Sequence, residues 1–345
     1  MTPEHATARL EVDLAALLHN YRVLQGRAGA AEVAPVVKAD AYGLGAEIIA
    51  RHLANHGAKT FFVARLDEGI ALRRWLGTVP TIYVFDGPTE GTSFFSDNNL
   101  RPVLNSLEQV QFWQSSTLKA ALHIDTGMNR LGIRPEDIAA VPNTGLSLIM
   151  SHLACADEPG NAMNARQLKA FRKAADRFPE VPCSLANSAG HFLGSEYAFD
   201  VTRPGISLYG GGPFGKPHPD LKPVAHLSAR VLQVRDLKAG ESVGYSATYT
   251  AARDMRLATV GIGYADGLLR RFAGAVTVAG QSRPVVGRVS MDVISIDVTG
   301  LDIAPGDWVE ILGDAQMLDD AGAAAGTVSY ELLTRLGSRI SRFYK

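Results

Sequence analysis

The stretch VAPVVKADAYGLGAEIIARHLANHG (33–57) predicts one buried strand followed by one helix. Its first five residues, VAPVV (33–37), form a short apolar run that suits a strand buried on both faces. EIIARHLANHG (47–57) then has apolar residues three and four positions apart, and it ends at Gly57, a common helix C-cap. The same alternation continues to about residue 205, which indicates parallel strands joined by crossover helices.

Eight apolar runs predict eight strands in this part of the chain. They are VAPVV (33–37), TFFVA (60–64), TIYVF (81–85), RPVL (101–104), AALHI (120–124), LSLIM (146–150), CSLA (183–186) and FDVT (199–202). Helical patterns such as DEGIALRRWLG (67–77) and NARQLKAFRKAADRF (164–178) lie between them. Eight strands interleaved with helices predict an α/β protein with a TIM-like (β/α)8 barrel. The runs RPVL and FDVT have the weakest strand pattern.

After about residue 225 the pattern changes to β-branched runs punctuated by glycine, without long helical stretches. Examples are LSARVLQVRDL (227–237), MRLATVGIGYA (255–265) and DWVEIL (307–312). These runs predict a second, mostly antiparallel β domain. With the proline-rich KPHPDLKP (216–223) as a linker, we predict domains over residues 1–225 and 226–345. The first strand, at about residues 8–13, is a candidate to pair with the second domain.

The composition excludes several classes of partner. The formal net charge is −1 over 345 residues, so no basic field is present to hold nucleic acid or an anionic membrane. We find no run of eighteen apolar residues and no secretory signal pattern at the N-terminus, so we expect no membrane span and a cytoplasmic protein. Cys155 and Cys183 lack the paired spacing of a zinc site, so no metal is predicted.

Lys38 stands directly after the first predicted barrel strand, in VVKADAYGLG (36–45). The carboxyl ends of the strands form the catalytic face of such barrels. A lysine between apolar walls has a lowered pKa and can form a Schiff base with an aldehyde. A lone lysine at a strand end is more often simply solvated. The assignment of Lys38 therefore depends on the segments that accompany it.

The Lys38 segment resembles the cofactor-lysine motif of the alanine racemases, the two-domain branch of the barrel-type pyridoxal-phosphate enzymes. Further segments match this family in order. They are DTGMNRLGI (125–133), SHLACAD (151–157), LANSAG (185–190), VTRPGISLYG (201–210), VGYSATY (243–249), GIGYADG (261–267), GRVSMD (287–292) and SYE (329–331). Because these segments extend over both predicted domains, the resemblance covers most of the chain.

The resemblance implies pyridoxal 5′-phosphate as cofactor, held by Lys38 as a Schiff base. It assigns the phosphate to Tyr42, Ser188, Gly205, Ile206 and Tyr330, and the pyridine ring to His152, Asn187 and Arg203. The turns at SAG (188–190) and RPG (203–205) suit the phosphate, since each presents free backbone N–H groups.

Arg203 is the residue that the resemblance places at the pyridine nitrogen, with His152 hydrogen-bonded to it. An arginine donates a hydrogen bond but keeps its own proton. A ring nitrogen that stays unprotonated makes the cofactor a weaker electron sink. We therefore expect racemisation at Cα to be favoured over side reactions such as transamination.

Racemisation requires proton removal on one face of Cα and delivery on the other, so it requires two bases. The resemblance assigns these roles to Lys38 and Tyr245. Because Tyr245 lies in the second domain, the resemblance implies that it reaches the barrel of a partner subunit. A head-to-tail homodimer is therefore expected.

The resemblance also implies a binding site for a small amino acid. Arg130 would contact the substrate carboxylate, as would the backbone N–H of Met291, with Asp292 nearby. Tyr264 and Tyr330 would narrow the entrance, which favours alanine over longer amino acids. The implied activity is interconversion of L-alanine and D-alanine, which supplies D-alanine for peptidoglycan.

Three positions depart from the family pattern. His123 stands where many relatives have a carbamylated lysine that braces the arginine, so Arg130 must be oriented by an anion or by another side chain. Ser246 replaces a frequent glycine, and Ser290 replaces a frequent cysteine. Substrate range and turnover are therefore less well determined than the reaction type.

Other functions remain open at this point. The first alternative is a racemase for serine or for a broader set of amino acids. A non-catalytic protein of pyridoxal-phosphate homeostasis resembles the Lys38 segment, but such proteins are single barrels without a GYSATY domain. A barrel-type decarboxylase is disfavoured because decarboxylation gains from a stronger electron sink than the one Arg203 implies.

Overall fold

A computed structural model describes residues 5–89, 91–272 and 274–345. The chain divides into two compact units. One comprises Leu18–Leu208 with Gly212–Phe214, and the other comprises the chain up to Leu17 together with Tyr209–Gly211 and Gly215–Lys345. The described chain begins with strand β1 (Ala8–Val12), which belongs to the second of these units, and helix α1 (Leu14–Ala28).

The first unit is a barrel of eight parallel strands. They are β2 (Glu32–Val33), β3 (Thr60–Val63), β4 (Thr81–Val84), β5 (Arg101–Leu104), β6 (Ala120–His123), β7 (Leu146–Met150), β8 (Cys183–Ser184) and β9 (Val201–Thr202). Seven of the predicted apolar runs contain one of these strands, including RPVL and FDVT, whereas VAPVV shares only Val33 with β2. The runs form strands because their residues are apolar on both faces, and all four residues of β3 and of β6 are buried.

Hydrogen bonds between neighbouring strands close the barrel. Strands β3 to β8 pair in sequential order, and β2 pairs with β9. A bridge between Val36 and Phe62 joins the chain after β2 to β3. The Asp200 N–H donates to the Cys183 carbonyl at 3.0 Å, which joins the chain beside β8 to the chain beside β9. The predicted barrel is therefore confirmed.

The connections between barrel strands are less regular than the strands. The described helices of this unit after α1 are α2 (Ala46–Asn55), α3 (Leu66–Leu76), α4 (Ser93–Asp97), α5 (Leu107–Trp113) and α6 (Ala162–Ala175). Helix α2 buries Ile49, Ala50 and Leu53, spaced as the sequence pattern predicts. After β6 and β8 the chain forms only short 3-10 turns, such as Pro135–Ala140. The ideal strand–helix alternation is therefore incomplete.

The second unit is built on a mostly antiparallel sheet, as predicted. Its further elements are β10 (Ala225–Leu237), β11 (Ser242–Val243), β12 (Tyr249–Thr250), β13 (Met255–Val260), β14 (Ala275–Val278), β15 (Gln281–Pro284), β16 (Ile294–Asp297), β17 (Trp308–Leu312), α7 (Leu318–Ala324), α8 (Ser329–Thr334) and β18 (Ser341–Tyr344). Strand β10 pairs antiparallel with β1, β13 and β17, and β1 pairs parallel with β18. Among the described residues, no helix has the length and apolar character needed to cross a bilayer.

Candidate active site

The site residues predicted in the barrel all follow the carboxyl ends of its strands. Lys38 comes after β2, and Arg130 lies in the loop after β6. His152 follows β7, Ser188 follows β8, and Arg203 directly follows β9. Because all strands are parallel, these residues belong to one face of the barrel, which is the face where barrel enzymes place their chemistry.

Lys38 opens a turn of left-handed helix. The four residues Ala39 to Tyr42 have φ angles between 51° and 58°. Such a conformation costs about 1–2 kcal/mol for each non-glycine residue, so the surrounding structure must stabilise the turn. Glu68 Oε1 accepts a hydrogen bond from the Ala39 N–H at 2.7 Å, and Asp40 Oδ1 accepts one from the Ala46 N–H at 2.7 Å. Strain that is held in this way is typical of functional segments.

The Lys38 ammonium is partly withdrawn from water. Burial lowers the pKa of Lys38, the Arg130 charge lowers it further, and the carboxylates of Glu68 and Asp86 act in the opposite direction. The Lys38 Nζ atom lies 5.9 Å from the centre of the Phe85 ring. A lowered pKa raises the fraction of neutral amine, which is the form that attacks an aldehyde.

Tyr42, Ser188 and Gly205 form a small polar cradle. The backbone N–H groups of Gly205 and Ser207 donate to Ser188 Oγ at 2.9 and 3.2 Å. A Cβ atom built on Gly205 would overlap the Tyr42 hydroxyl, so only glycine allows this approach. Ser207 Oγ is buried and has no hydrogen-bond partner among the described residues. Hydroxyls and N–H groups converging without a carboxylate suit a phosphate group.

Two predicted cofactor residues support this cradle from neighbouring turns. Asn187 Oδ1 accepts a hydrogen bond from the Gly190 N–H at 2.9 Å and thereby holds the turn that contains Ser188. Ile206 is buried and begins the 3-10 turn Ile206–Tyr209. The two turns predicted from SAG and RPG are therefore present.

Arg203 is a buried cation, 2% exposed. Its guanidinium donates to Ser184 Oγ, to the Ser151 carbonyl at 2.5 Å and to the Leu185 carbonyl at 3.5 Å. Burial lowers the pKa of Arg203 to about 9, which still leaves the group protonated at neutral pH. No salt bridge to Arg203 is formed within the described part of the chain. The guanidinium is thus suited to an uncharged acceptor such as a pyridine nitrogen.

His152 differs from the prediction in one contact. Burial, followed by the charges of Arg203 and Arg130, lowers the pKa of His152 well below its usual value, so the ring is neutral. Among the described residues, however, no hydrogen bond joins His152 to Arg203. The guanidinium N–H groups instead bond to backbone carbonyls and to Ser184. The expected hydrogen bond is therefore not formed in the described chain, and Arg203 acts on His152 through its charge, which lowers the pKa of the imidazole.

The loop that carries Arg130 is organised by Asp125. Asp125 Oδ1 accepts hydrogen bonds from three successive backbone N–H groups, those of Gly127, Met128 and Asn129, at 2.9 to 3.1 Å. Two further bonds close the loop at its base, from the Asp125 N–H to the Ile133 carbonyl and from the Ile133 N–H to the His123 carbonyl. Arg130 itself is exposed and forms no hydrogen bond within the described chain.

The remaining predicted residues lie in the second unit and are exposed. Tyr245 is 67% exposed, in the short loop that joins β11 to β12. Met291, Tyr330 and Tyr264 are 52%, 44% and 37% exposed. The Tyr264 N–H donates to the Ser290 carbonyl, which ties the Tyr264 turn to the Met291 segment. These side chains are therefore accessible at the surface of the second unit.

Asp292 is held by an ion pair within the second unit. Arg339 Nη1 lies 2.8 Å from Asp292 Oδ1, and Arg339 Nε lies 3.2 Å from Asp266 Oδ1. The other Asp266 oxygen accepts the Gly263 N–H at 2.8 Å. Arg339 therefore connects the segments that carry Tyr264 and Asp292.

Comparison with known proteins identifies the family. Residues 12–213 match the N-terminal domain of alanine racemase, and residues 224–344 match its C-terminal domain. This chain belongs to the alanine racemase family. The alanine racemase of Cereibacter sphaeroides is 48% identical over 98% of both chains. The catabolic alanine racemase of Agrobacterium fabrum is 44% identical over 98% of this chain and 92% of its own.

Solved structures of the alanine racemase family share the fold. The alanine racemase of Bartonella henselae with covalently bound pyridoxal phosphate is 39% identical and superposes with a TM-score of 0.93, over 99% of this chain and 100% of that chain. The biosynthetic alanine racemase of Pseudomonas aeruginosa is 34% identical with the same TM-score, over 99% of each chain. The predicted family and fold class are therefore confirmed.

His123 departs from the common alanine racemase pattern, and its surroundings explain how this residue is accommodated. It is buried, and its Nδ1 atom lies 2.8 Å from Asn105 Oδ1. The Asn105 amide nitrogen donates to the carbonyls of Phe85 and Val103, both at 2.9 Å. The amide oxygen must then face His123, which assigns the ring proton to Nδ1. Burial, and then the Arg203 charge, lowers the pKa of His123 to about 4, so the imidazole is neutral.

Two features of the site were not found from the sequence. The left-handed turn after Lys38 carries no local signal except the glycines at its end, Gly43 and Gly45, which also have positive φ angles. Gln167 is completely buried in helix α6 and bonds to segments of the site, yet a single glutamine in a helical pattern matches no motif.

Proposed function

We propose that this protein interconverts L-alanine and D-alanine with pyridoxal 5′-phosphate bound at Lys38. The observation that carries the proposal is the combination, on one face of the barrel, of Lys38 with a lowered pKa, the Ser188–Gly205 cradle and the buried cation Arg203. When bound, the cofactor stabilises negative charge that develops at the Cα atom of an amino acid.

The cradle would hold the phosphate. Ser188, with the backbone N–H groups of Gly205 and Ile206, would bind its oxygens, and the hydroxyls of Tyr42 and Tyr330 would complete the set. The Gly205 N–H donates to Ser188 Oγ in the protein alone, and it would exchange this bond for one to the anion. A dianionic group there gains from several N–H donors at once.

Arg203 would donate to the pyridine nitrogen and keep its proton, while His152 and Asn187 border the ring. Its guanidinium is fixed by the Ser151 and Leu185 carbonyls, which leaves it little freedom to turn away. Because the neutral His152 adds no charge, Arg203 would be the cation that faces the ring nitrogen. This arrangement limits the charge that reaches the ring and favours simple proton exchange at Cα.

Lys38 and Tyr245 would move the proton. Lys38 Nζ, freed when the substrate amine takes its place on the cofactor, would take or deliver the Cα proton on one face, and the Tyr245 phenolic oxygen would do so on the other. Lys38 suits this role because its lowered pKa brings the amine closer to neutral pH, where general bases work best.

Alanine would be selected by its carboxylate and by its small side chain. Arg130 would bind the carboxylate with its planar guanidinium, together with the Met291 N–H, and Asp292 would lie beside it. Tyr264 and Tyr330 would restrict the space available to the side chain. The bonds from the Arg339 guanidinium to Asp266 and Asp292 support this arrangement, because they order the Met291 segment.

A head-to-tail homodimer would bring Tyr245 and Met291 of one subunit to the barrel of its partner. The exposure of Tyr245 at 67% and of Met291 at 52% supports a covered surface in the assembly. We further propose that the enzyme works in the cytoplasm and supplies D-alanine for peptidoglycan.

Proton NMR of L-alanine in deuterated water, with a chiral assay of the same sample, tests the proposed activity. We expect the α-proton signal to disappear while D-alanine accumulates. If alanine shows no exchange although the cofactor is bound, serine and other amino acids are tested next. Exchange with none of them would refute the racemase proposal.

A further inference from the structure

Gln167 is a fully buried polar residue in the middle of helix α6. Its neighbours Leu168 and Phe171 on the same helix are buried apolar residues, as expected of a helix that packs on a barrel. Burial of an amide costs free energy unless its polar atoms find partners. The contacts of Gln167 therefore indicate why a polar side chain occupies this position.

All the hydrogen-bonding groups of the Gln167 amide are used. Gln167 Oε1 accepts the Ala154 N–H at 2.8 Å. Gln167 Nε2 donates to the His152 carbonyl at 2.9 Å and to Thr126 Oγ1 at 3.1 Å. The Gln167 side chain on helix α6 thus forms two hydrogen bonds to the segment after β7 and one to the loop after β6.

Thr126 links Gln167 to Ser151, which follows barrel strand β7. Its Oγ1 atom lies 2.8 Å from Ser151 Oγ, and the Ser151 carbonyl accepts a hydrogen bond from Arg203 Nη2 at 2.5 Å. Ser151 is 1% exposed, and Thr126 is half-buried. A continuous, largely buried series of contacts therefore joins Gln167, Thr126, Ser151 and Arg203.

The position of Arg130 depends on the same contact. Asp125 shapes the loop from within, but Arg130 has no hydrogen bond of its own in the described chain. Among the described residues, the side-chain bonds that tie loop 125–133 to the neighbouring strand segment and to helix α6 are those of Thr126. Loss of these bonds would release the loop from its neighbours, so that its internal turn would open more often.

We infer that Gln167 is a positioning residue that sets the Arg130 loop against the strand end at His152 and, through Thr126 and Ser151, against Arg203. Gln167 touches neither substrate nor cofactor in this assignment. The part that concerns substrate affinity rests on the proposed function, because it takes Arg130 as the carboxylate ligand. The part that concerns the loop stands on the contacts alone.

Asn164 provides a matched control on the same helix. It is 2% exposed, and its side chain donates only to the Glu158 carbonyl, at 3.0 Å. Its Oδ1 atom has no partner among the described residues. Asn164 is therefore a buried amide of the same helix whose side-chain hydrogen bond lies outside loop 125–133, and Asn164→Leu removes a comparable polar group without removing a bond to Thr126.

The test of loop position uses cofactor-free protein and hydrogen exchange followed by mass spectrometry. We expect Gln167→Met to speed amide exchange in residues 125–133 by about tenfold, because the loop loses its bond to helix α6 and opens more often. Asn164→Leu should leave exchange in that loop unchanged. Unchanged exchange in Gln167→Met, or an equal change in Asn164→Leu, would overturn the inference whatever reaction the protein catalyses.

Steady-state kinetics with the holoenzyme test the consequence for substrate. Gln167→Met should raise KM for L-alanine by about tenfold with a smaller change in kcat, the pattern of a lost binding contact. Thr126→Val should have the same effect, Thr126→Ser should restore the wild-type KM, and the Gln167→Met and Thr126→Val double variant should be no worse than either single one. Additive losses, or a wild-type KM in both single variants, would contradict the inference. Thr126→Val also keeps the test valid if Gln167→Met does not fold.

Discussion

The two units of the molecule provide site residues in opposite ways. In the barrel, Arg203 and Ser188 are buried and held by hydrogen bonds within the unit, so their geometry is set by the fold itself. In the second unit, Tyr245 and Met291 are exposed on short loops. The candidate residues of the barrel are therefore preorganised, whereas those of the second unit lie at an exposed surface. The experiments below separate these two contributions.

Removal of the Lys38 amine should have the largest effect. Lys38→Ala should lower racemisation by at least about 10²–10⁴-fold, because a base of the proton transfer is lost. It should also abolish the fixation of cofactor to the protein by borohydride. Lys59→Ala removes an exposed lysine as a control and should change neither property. Cofactor that borohydride still fixes at another residue of Lys38→Ala would refute the assignment.

Tyr245→Phe should impair proton exchange and leave the cofactor-binding residues of the barrel intact. We expect the variant to bind cofactor normally but to lose about 10²-fold in solvent-proton exchange from L-alanine, with a much smaller loss from D-alanine. NMR exchange rates for both enantiomers measure the difference. Tyr249→Phe, which removes a hydroxyl 3.6 Å from Met255 Sδ, is the matched control. Equal losses for the two enantiomers would contradict a base that serves one face.

Gly205→Ala should damage the preorganised cradle in particular. The added Cβ would overlap the Tyr42 hydroxyl, so we expect cofactor affinity to fall by about tenfold, equivalent to about 1.4 kcal/mol. Fluorescence titration with pyridoxal phosphate measures this affinity. Gly160→Ala, at a position with open space, should have no effect. If Gly205→Ala binds cofactor like the wild type, the cradle assignment fails.

Lowering the pH should gradually reduce the free energy of unfolding, because His123 and His191 are buried in the barrel unit. Burial lowers the pKa of His123 and of His191 from 6.5 to about 4. The unfolded chain takes up protons near pH 6.5 while the folded chain does not, so the free energy of unfolding falls as the pH decreases from 6.5 to about 4 and levels off below that. Each histidine contributes at most about 3 kcal/mol to this loss.

Urea unfolding at pH 7 and pH 5 measures the acid effect. His191→Phe should reduce the loss between the two pH values, since both ring nitrogens of His191 lack partners among the described residues. The exposed His56 serves as the control, and His56→Gln should show the wild-type pH dependence. A loss that is identical in wild type and His191→Phe would remove His191 from this explanation.

The sequence predicted the barrel strands well because each apolar run is short, continuous and bounded by polar residues, as at TFFVA and LSLIM. It predicted the connections less well, since the chain after β6 and β8 forms only 3-10 turns, such as Pro135–Ala140 and Ala189–Phe192. The left-handed turn at Ala39–Tyr42 could not be predicted, because local propensity opposes it in non-glycine residues and the stabilising carboxylate of Glu68 comes from another helix.

Prediction of the candidate site was likewise limited to features that local sequence reveals. Lys38 and Arg203 were predicted because motif and strand position agree, and the structure places Lys38 after β2 and Arg203 directly after β9. The hydrogen bond predicted between His152 and Arg203 does not form among the described residues, because the guanidinium bonds to carbonyls that no motif reveals. Gln167 and Asn105 act through contacts between segments distant in sequence, so their roles are visible only in the folded chain.

Mixing the Lys38→Ala and Tyr245→Phe variants tests most directly whether one subunit supplies the barrel site and its partner supplies Tyr245. Each variant alone should be nearly inactive. In a mixed dimer, one site would combine an intact Lys38 with an intact Tyr245, so activity should recover to about a quarter of the wild-type value after random exchange of subunits. Absence of recovery, in samples where mass spectrometry detects mixed dimers, would contradict a site shared between subunits.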